Sequence, residues 1–252
     1  MKHFLADVRA FFDLSFDSLY PERSGTIVNN ELNYDHVADA LKELLNSEVC
    51  EELKSDSDLT RYFVSTLPDI KEKLNKDLEA IYMGDPAAQS KLEVIMAYPG
   101  FLALAAYRIA HELYHLNLPL IPRIITEYAN TLTSIDIHPG ARLGTHICID
   151  HGSGVVIGET AIIGDHVKIY QGVTLGALSI PKTKTKIKRH PTIGDHVIIY
   201  AQATILGGET TIGNNSTIGG NVWITESVPE NSKVFYDPWS KQSTKILRKT
   251  GN

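Results

Sequence analysis

One internal repeat limits, more than any other feature, what this chain can fold into. From about Ile135 an aliphatic residue recurs every six positions, at Ile137, Leu143, Ile149 and Val155, at Ile157, Ile163, Ile169 and Leu175, at Ile187, Ile193, Ile199 and Ile205, and at Ile212, Ile218 and Ile224. Hexapeptides of this kind are typical of short strands that meet at sharp turns and point their aliphatic side chains into a three-sided coil. A β-sandwich would need alternating residues and hairpin turns, which are absent. The repeat therefore predicts a parallel β-helix with about 18 residues per turn.

The first half of the chain has a different period. Apolar residues recur there at helical spacing, as at Val37, Leu41 and Leu45. Asp85-Pro86 predicts an N-cap followed by proline at the first helical position, and Tyr98-Pro99-Gly100 predicts a break between two helices. We expect an α+β chain with an N-terminal all-helical domain over 1–134, a β-helix over 135–228 and a C-terminal tail over 229–252.

Composition excludes several classes of protein. The 24 Lys and Arg against 30 Asp and Glu leave a net charge of -6, which argues against non-specific nucleic-acid binding. Cys50 and Cys148 are too few for a disulfide framework. The chain begins without the apolar stretch of a signal peptide and has no run of 18 uncharged apolar residues, so a cytoplasmic protein is expected.

Polar residues of the coil are the candidates for chemistry. Asp136 and His151 lie 15 positions apart, nearly one turn, so the two side chains can meet on adjacent turns. A carboxylate that orients an imidazole makes the imidazole a better general base toward an alcohol. The alternative is that both are turn-capping polar residues. Cys148 is interpreted as a packed thiol rather than a nucleophile.

Three other patterns leave a choice between ligand binding and a simpler role. His111-Glu112-Leu113-Tyr114-His115 matches the zinc-protease pattern, but no third ligand has a motif of its own. His146 and His151 suggest a metal between subunits, and here too the third ligand is missing unless His138 serves, so we predict no metal. Residues 177–188 interrupt the repeat as a lysine-rich loop, which either binds an anion or is a solvated run of charge.

Several motifs together resemble the serine O-acetyltransferases, a family of hexapeptide-repeat acyltransferases. The resemblance covers about residues 80–228. It rests on Gly84-Asp85-Pro86-Ala87, Tyr98-Pro99-Gly100-Phe101, Ala106-Tyr107-Arg108-Ile109-Ala110-His111, Asp136-Ile137-His138-Pro139, Ile149-Asp150-His151-Gly152-Ser153-Gly154, Gln171-Gly172-Val173-Thr174-Leu175-Gly176 and Arg189-His190-Pro191. It implies a left-handed coil and transfer of an acetyl group from acetyl-CoA, as co-substrate, to the hydroxyl of L-serine, the first step of cysteine biosynthesis, with no permanently bound cofactor.

The resemblance also implies roles for individual residues. His151 matches the general base and Asp136 its paired carboxylate. Asp85 and Asp150 match the acids that hold the serine ammonium, and Arg189 and His190 match the groups at its carboxylate and hydroxyl end. Two further residues, Gly176 and Ala201, lie where the family cradles the pantetheine arm of CoA. The lysine-rich loop then has a candidate partner in the CoA phosphates.

Family members of this kind form trimers through the coil, with active sites between subunits, and many pair into hexamers. We therefore expect a homotrimer or a dimer of trimers, and L-cysteine as a possible inhibitor at the serine site. Members that bind O-acetylserine sulfhydrylase typically end in isoleucine, so Asn252 argues against that complex. The alternatives are an acyltransferase for another hydroxyl or amine acceptor, and a β-helical scaffold without catalysis.

Overall fold

The computed structural model describes residues 2–25, 34–47, 57–118, 120–178, 187–236 and 244–248. Within them the first half of the chain is helical. Its helices are α1 (Lys2–Leu19), a short 3-10 turn (Pro21–Arg23), α2 (Asp35–Leu45), α3 (Ser57–Gly84), α4 (Lys91–Ala97), α5 (Pro99–His115) and α6 (Ile121–Thr133). The helices end where the six-residue repeat begins.

The second half consists of short strands. They are β1 (Asp136–Ile137), β2 (Arg142–Leu143), β3 (Cys148–Asp150), β4 (Val156–Ile157), β5 (Ile162–Ile163), β6 (Lys168–Tyr170), β7 (Thr174–Gly176), β8 (Thr192–Ile193), β9 (Ile198–Ile199), β10 (Thr204–Leu206), β11 (Thr211–Ile212), β12 (Thr217–Ile218), β13 (Trp223–Ile224), β14 (Ser232–Tyr236) and β15 (Thr244–Arg248). From β1 to β13 each strand belongs to a different sheet from the strand before it.

The strands form three sheets that make the sides of a prism, and every pairing from β1 to β14 is parallel. The five-stranded sheet has the order β1-β4-β7-β10-β13, the four-stranded sheet β11-β8-β5-β2, and the six-stranded sheet β15-β14-β12-β9-β6-β3. Val156 pairs with Thr174, 18 positions along the chain, as the repeat predicts for one turn. The predicted fold class, a helical domain followed by a parallel β-helix, is confirmed.

Stacked aliphatic side chains fill the prism. In the five-stranded sheet Ile137, Ile157, Leu175, Ile205 and Ile224 lie in register, and none is more than 5% exposed. Burying each such side chain contributes about 1.5–3 kcal/mol, so the repeat itself supplies the core. Every turn covers the interior of its neighbour, which is why the period can persist without helices around it.

The structure departs from the predicted repeat at two places. Ile187, taken as a repeat position, is 50% exposed and precedes β8, so it lies outside the core. Beyond residue 228, where the β-helix was predicted to end, β14 continues the six-stranded sheet by pairing in parallel with β12. An antiparallel strand, β15, then covers β14. Most of the predicted loop (residues 179–186) and Asn252 lie outside the described residues.

The helical domain also contains one difference from the prediction. No helix begins at Pro86; α4 begins at Lys91, with the Ser90 hydroxyl accepting from the Glu93 amide at 3.1 Å. The Asp85 side chain instead accepts from the Ala87 amide at 2.8 Å, which closes a turn after α3. The predicted break between two helices at Tyr98-Pro99-Gly100 is confirmed.

Helices and coil share one continuous hydrophobic core. The Tyr107 hydroxyl of α5 donates to the Ala141 carbonyl at 2.7 Å, and Gly100 packs directly on the Ile149 carbonyl, where any Cβ would overlap it. The end of α3 packs against β3 as well, with Gly84 close to Cys148. Among the described helices none alone meets the length and apolarity of a membrane span; α4 and α5, bent by 73°, do so only when taken together.

Candidate active site

The predicted site residues fall into two groups. The first, the His151 cluster, comprises Asp85, Tyr98, Asp150, His151 and Lys168. Asp150 ends β3 and His151 follows it, at the corner where the chain passes from the six-stranded to the five-stranded sheet. Asp85 reaches this corner from the end of α3. The structure therefore brings together three of the predicted residues, Asp85, Asp150 and His151.

Tyr98 and the chain turn hold Asp85 in place. The Tyr98 hydroxyl donates to Asp85 Oδ2 at 2.7 Å, while the Ala87 amide donates to Oδ1. These hydrogen bonds, together with the positive charge of Lys168, hold the pKa of Asp85 below its ordinary value. The carboxylate stays half-buried and ionised, which suits a group that receives an ammonium ion.

Lys168 occupies one side of Asp150. Lys168 Nζ lies 2.9 Å from Asp150 Oδ2, and His151 Nε2 lies 3.7 Å from the other oxygen, Oδ1. The Asp150 side chain is 15% exposed, whereas the His151 side chain is 73% exposed. The imidazole therefore stands at the surface, accessible to a substrate and close to a fixed carboxylate.

Asp136 is not joined to His151 in this chain. Its carboxylate instead pairs with Arg123, whose Nη2 lies 3.9 Å from Asp136 Oδ1. Burial raises the pKa of Asp136 above its ordinary value, and Glu127 adds to the effect. Between the described side chains of Asp136 and His151 there is neither a hydrogen bond nor an ion pair. The predicted dyad stays a prediction.

The second group, the His190 cluster, comprises Tyr114, Glu159, Thr160, Arg189 and His190. The Thr160 amide donates to His190 Nδ1 at 3.0 Å, and the Thr160 hydroxyl accepts from the Arg189 amide at 2.9 Å. Arg189 and Glu159 form an ion pair, and the Tyr114 hydroxyl donates to Glu159 at 3.0 Å. Because Nδ1 accepts, the proton of the neutral His190 ring is on Nε2.

Burial sets the protonation of the His190 cluster. Desolvation, with the neighbouring Arg189 charge, lowers the pKa of His190 to about 4, so the ring is neutral and can donate from Nε2. Burial raises the pKa of Glu159, but hydrogen bonds from Arg189 and Tyr114 outweigh it and hold that pKa below its ordinary value. The cluster therefore presents a guanidinium and a neutral imidazole donor.

The two clusters lie at opposite ends of the strands of the five-stranded sheet. The His151 cluster lies where these strands begin, and the His190 cluster lies where they end. Glu159 follows β4 and His190 precedes β8, so the His190 cluster lies at the corner between the five-stranded and four-stranded sheets. A groove of about 440 Å³ opens beside it, lined by Tyr114, His115, Gly140, Arg142, Glu159, Thr160, Ala161, Ile162 and Lys188. Within one chain, the predicted site residues therefore do not form one pocket.

The predicted pantetheine-binding positions are divided in the same way. Gly176 ends β7, at the corner of the prism that carries the His190 cluster, and its carbonyl accepts from the Gly207 amide at 3.2 Å. Ala201 follows β9, at the corner of the prism that carries the His151 cluster, and its carbonyl accepts from the Asn221 amide at 3.0 Å. Their role in binding pantetheine stays a prediction.

The zinc-like motif on α5 has local partners. Because a carbonyl only accepts, His111 Nδ1 donates to the Pro139 carbonyl at 2.7 Å. In the neutral ring the other nitrogen, Nε2, then accepts, here from His115 Nε2 at 3.1 Å. Among the residues that the structure describes, no group of three or more His, Cys, Asp or Glu side chains is placed to hold a metal ion.

Five residues of the clusters were given no role in the site by sequence reasoning: Tyr98, Tyr114, Glu159, Thr160 and Lys168. Only spacing of about one turn offered a signal, since Lys168 lies 18 positions after Asp150. Cys148 is buried beside the His151 cluster, and burial raises the pKa of its thiol to about 12. The thiol therefore stays protonated, which agrees with its interpretation as a packed residue.

Comparison with known proteins gives the following matches. Residues 21–106 match the family model described as serine acetyltransferase, N-terminal. A plasmid serine acetyltransferase of Synechococcus elongatus is 50% identical over 210 residues, which are 81% of this chain and 65% of that protein. A serine acetyltransferase of Staphylococcus xylosus is 45% identical over 181 residues, 71% of this chain and 82% of that protein. The chain thus spans between half and two thirds of the cyanobacterial relatives it matches.

Solved structures give the same family. The crystal structure of serine acetyltransferase isoform 3 of Entamoeba histolytica, in complex with cysteine, superposes with a TM-score of 0.79. The two sequences are 38% identical, and the match covers 93% of this chain and 83% of the other. The likeness therefore includes the helical domain as well as the coil.

Proposed function

Because the chain belongs to the serine acetyltransferase family, we propose that it transfers the acetyl group of acetyl-CoA to the hydroxyl oxygen of L-serine, giving O-acetyl-L-serine and free CoA. One observation of the structure carries the proposal. One cluster holds two carboxylates, Asp85 and Asp150, with an exposed imidazole beside Asp150, and the other holds a guanidinium and a neutral imidazole. Together the two clusters offer partners for the ammonium, the hydroxyl and the carboxylate of an amino acid with a hydroxyl side chain.

The charges of the clusters assign the ends of the substrate. The ammonium of serine binds at Asp85 and Asp150, and its carboxylate binds at Arg189. The neutral His190 ring donates from Nε2 to the carboxylate or hydroxyl end. Alcohols without an ammonium group lack a partner for the two aspartates, which favours serine over the other acceptors of acyltransferases.

His151 is the proposed general base. Its imidazole takes the proton of the serine hydroxyl while the oxygen attacks the thioester carbonyl of acetyl-CoA. The tetrahedral intermediate collapses by breaking the carbon–sulfur bond, and the imidazolium returns the proton to the CoA sulfur. One base in a ternary complex suffices, since a thiolate is a good leaving group.

The separation of the clusters supports an active site shared by two copies of the chain. A face carrying the His151 cluster of one copy meets a face carrying the His190 cluster of another in a closed cyclic assembly. The proposed homotrimer satisfies that requirement three times, and a dimer of trimers six times. Inhibition by L-cysteine, binding of CoA phosphates by the lysine-rich loop, and a cytoplasmic location stay predictions.

The test is release of CoA thiol from acetyl-CoA, with and without L-serine. The proteins compared are the native chain, His151→Ala, and the control His36→Ala, which replaces an exposed histidine of α2. We expect serine-dependent release from the native chain and the control, and a loss of about 10²–10⁴-fold in folded His151→Ala.

Two results would contradict the proposal. Native protein without serine-dependent release would overturn the serine assignment, and a panel of amines and alcohols would then identify another acceptor or a non-catalytic scaffold. Full activity in His151→Ala would retain the reaction but remove the assigned base.

A further inference from the structure

We propose that Lys168 is a positioning residue for the amino-acid substrate: it holds Asp150 and the end of α3 in the arrangement that receives the substrate ammonium. This inference rests on the proposed function and adds to it a residue that neither the sequence motifs nor the comparisons point to. Lys168 lies on β6, one turn after β3, with Cys148 as its partner in the register.

The Lys168 ammonium connects two parts of the molecule. Its Nζ lies 2.9 Å from Asp150 Oδ2, on the coil, and donates to the Gly84 carbonyl at 2.7 Å, at the last residue of α3. Gly84 directly precedes Asp85. One cation therefore sets the relative positions of both aspartates that are proposed to bind the substrate.

The environment of Lys168 keeps it charged and ordered. Its side chain is 19% exposed, and the Tyr170 ring centroid lies 4.8 Å from Nζ. Burial alone lowers the pKa of Lys168, but the hydrogen bond to Asp150 and the nearby Tyr170 raise it above its ordinary value. A half-buried pair of this kind has little freedom to rearrange, unlike an exposed one.

Occupation of Oδ2 decides where the substrate binds. With Oδ2 bonded to Lys168, Asp150 offers Oδ1, which lies 3.7 Å from His151 Nε2. An ammonium on Oδ1 brings the rest of serine next to the proposed base. The charges also balance, because Asp85, Asp150 and Lys168 together carry one net negative charge, which one substrate ammonium neutralises.

The experiment compares Lys168→Met, Lys168→Arg and Lys233→Met in the full-length protein. Lys233 occupies the same register position of the same sheet, three strands from Lys168, and is exposed. Methionine keeps the unbranched shape and most of the length of the side chain without its charge, and arginine keeps the charge. Initial rates of CoA release are measured while serine and acetyl-CoA are varied in turn.

For Lys168→Met we expect the KM for serine to rise about tenfold while the KM for acetyl-CoA stays within about twofold. Lys168→Arg recovers most of the serine KM, and Lys233→Met matches the native protein. A role in stability alone lowers the amount of active enzyme and leaves both KM values unchanged. That result, or an equal rise in the two KM values, overturns the inference.

Two other outcomes are an inactive native protein and a Lys168→Met variant that does not fold. Absence of serine-dependent release from the native protein overturns the proposed function and this inference with it, whereas an unchanged serine KM in Lys168→Met overturns the inference alone. If Lys168→Met does not fold, Lys168→Gln is used, because its amide still donates to the Gly84 carbonyl; we then expect a smaller rise in the serine KM, and no rise overturns the inference.

Discussion

Asp77 and Arg108 form an ion pair in the interior, with 2.5 Å between Asp77 Oδ2 and Arg108 Nε and side chains 0% and 4% exposed. Asp77, on α3, also accepts from the Ile147 amide at 2.9 Å. Arg108, on α5, donates to the Gly144 carbonyl at 2.8 Å. The pair therefore joins two helices to the corner that follows β2, in the first turn of the coil.

Removing one member of this pair is expected to destabilise the protein strongly. Asp77→Ala leaves the Arg108 charge buried without its partner, which should lower the free energy of unfolding by about 3–5 kcal/mol. The control is Asp58→Ala, since the Asp58–Arg61 pair is 80% exposed on both sides and is worth about 0–1 kcal/mol. Urea denaturation measures the free energy of unfolding of both variants. Equal decreases would show that the buried pair stabilises the protein no more than the exposed one.

Tyr98→Phe should weaken serine binding without unfolding the chain. The variant removes the hydrogen bond to Asp85, so the pKa of that carboxyl rises toward its ordinary value and its orientation is less fixed. We expect the KM for serine to rise about three- to tenfold, and its increase on acidification to begin at a higher pH. Tyr62→Phe, at a residue 54% exposed on α3, is the control, and an unchanged serine KM in Tyr98→Phe would reject this role.

Two inactive variants should restore each other's activity when they are assembled together. His151→Ala keeps an intact His190 cluster, and Arg189→Ala keeps an intact His151 cluster. If sites form between copies, random mixing of equal amounts leaves about a quarter of the sites intact. Co-expression followed by the CoA-release assay measures this, with separately expressed variants mixed after purification as the control. No recovery in co-expressed protein would place each site within a single chain.

Stability should fall on acidification because of His190. Its folded pKa, about 4, lies below the ordinary value of 6.5, so between these values the unfolded chain binds the extra proton. The free energy of unfolding therefore decreases as pH falls through that window, by at most about 3 kcal/mol from this group. His190→Asn keeps an acceptor for the Thr160 amide and does not titrate. Melting temperatures between pH 7.5 and 5 should fall less steeply in His190→Asn; parallel curves would contradict the assignment.

Much of the fold could be predicted from local pattern. Ile157 and Leu175 lie 18 positions apart and stack in register because one aliphatic residue in six fills a prism of fixed width. Where the pattern is interrupted, prediction was less accurate. Ile187 keeps the spacing but lies outside the core, and β14 continues the coil without a hexapeptide.

The site was predictable only in part. Asp85 and Asp150 came from the resemblance of their motifs, His151 also from its spacing to Asp136, and the structure places the three around one corner. Their neighbours Tyr98 and Lys168 could not be chosen beforehand, because each reaches the corner from another helix or turn. Asp136, which was predicted to pair with His151, lies beside Arg123 in this chain.

The sequence by itself determined the coil, its helical neighbour and the family, because a six-residue period and contiguous motifs are local properties of the chain. Only the tertiary structure decided that the His151 and His190 clusters lie at opposite ends of the strands of one sheet. It also decided that Lys168 lies between Asp150 and α3. Such relationships depend on how many residues each turn contains and on how the helices pack against it. The interior demands only one aliphatic side chain per strand, so the same repeat is compatible with many arrangements of the polar side chains at its corners.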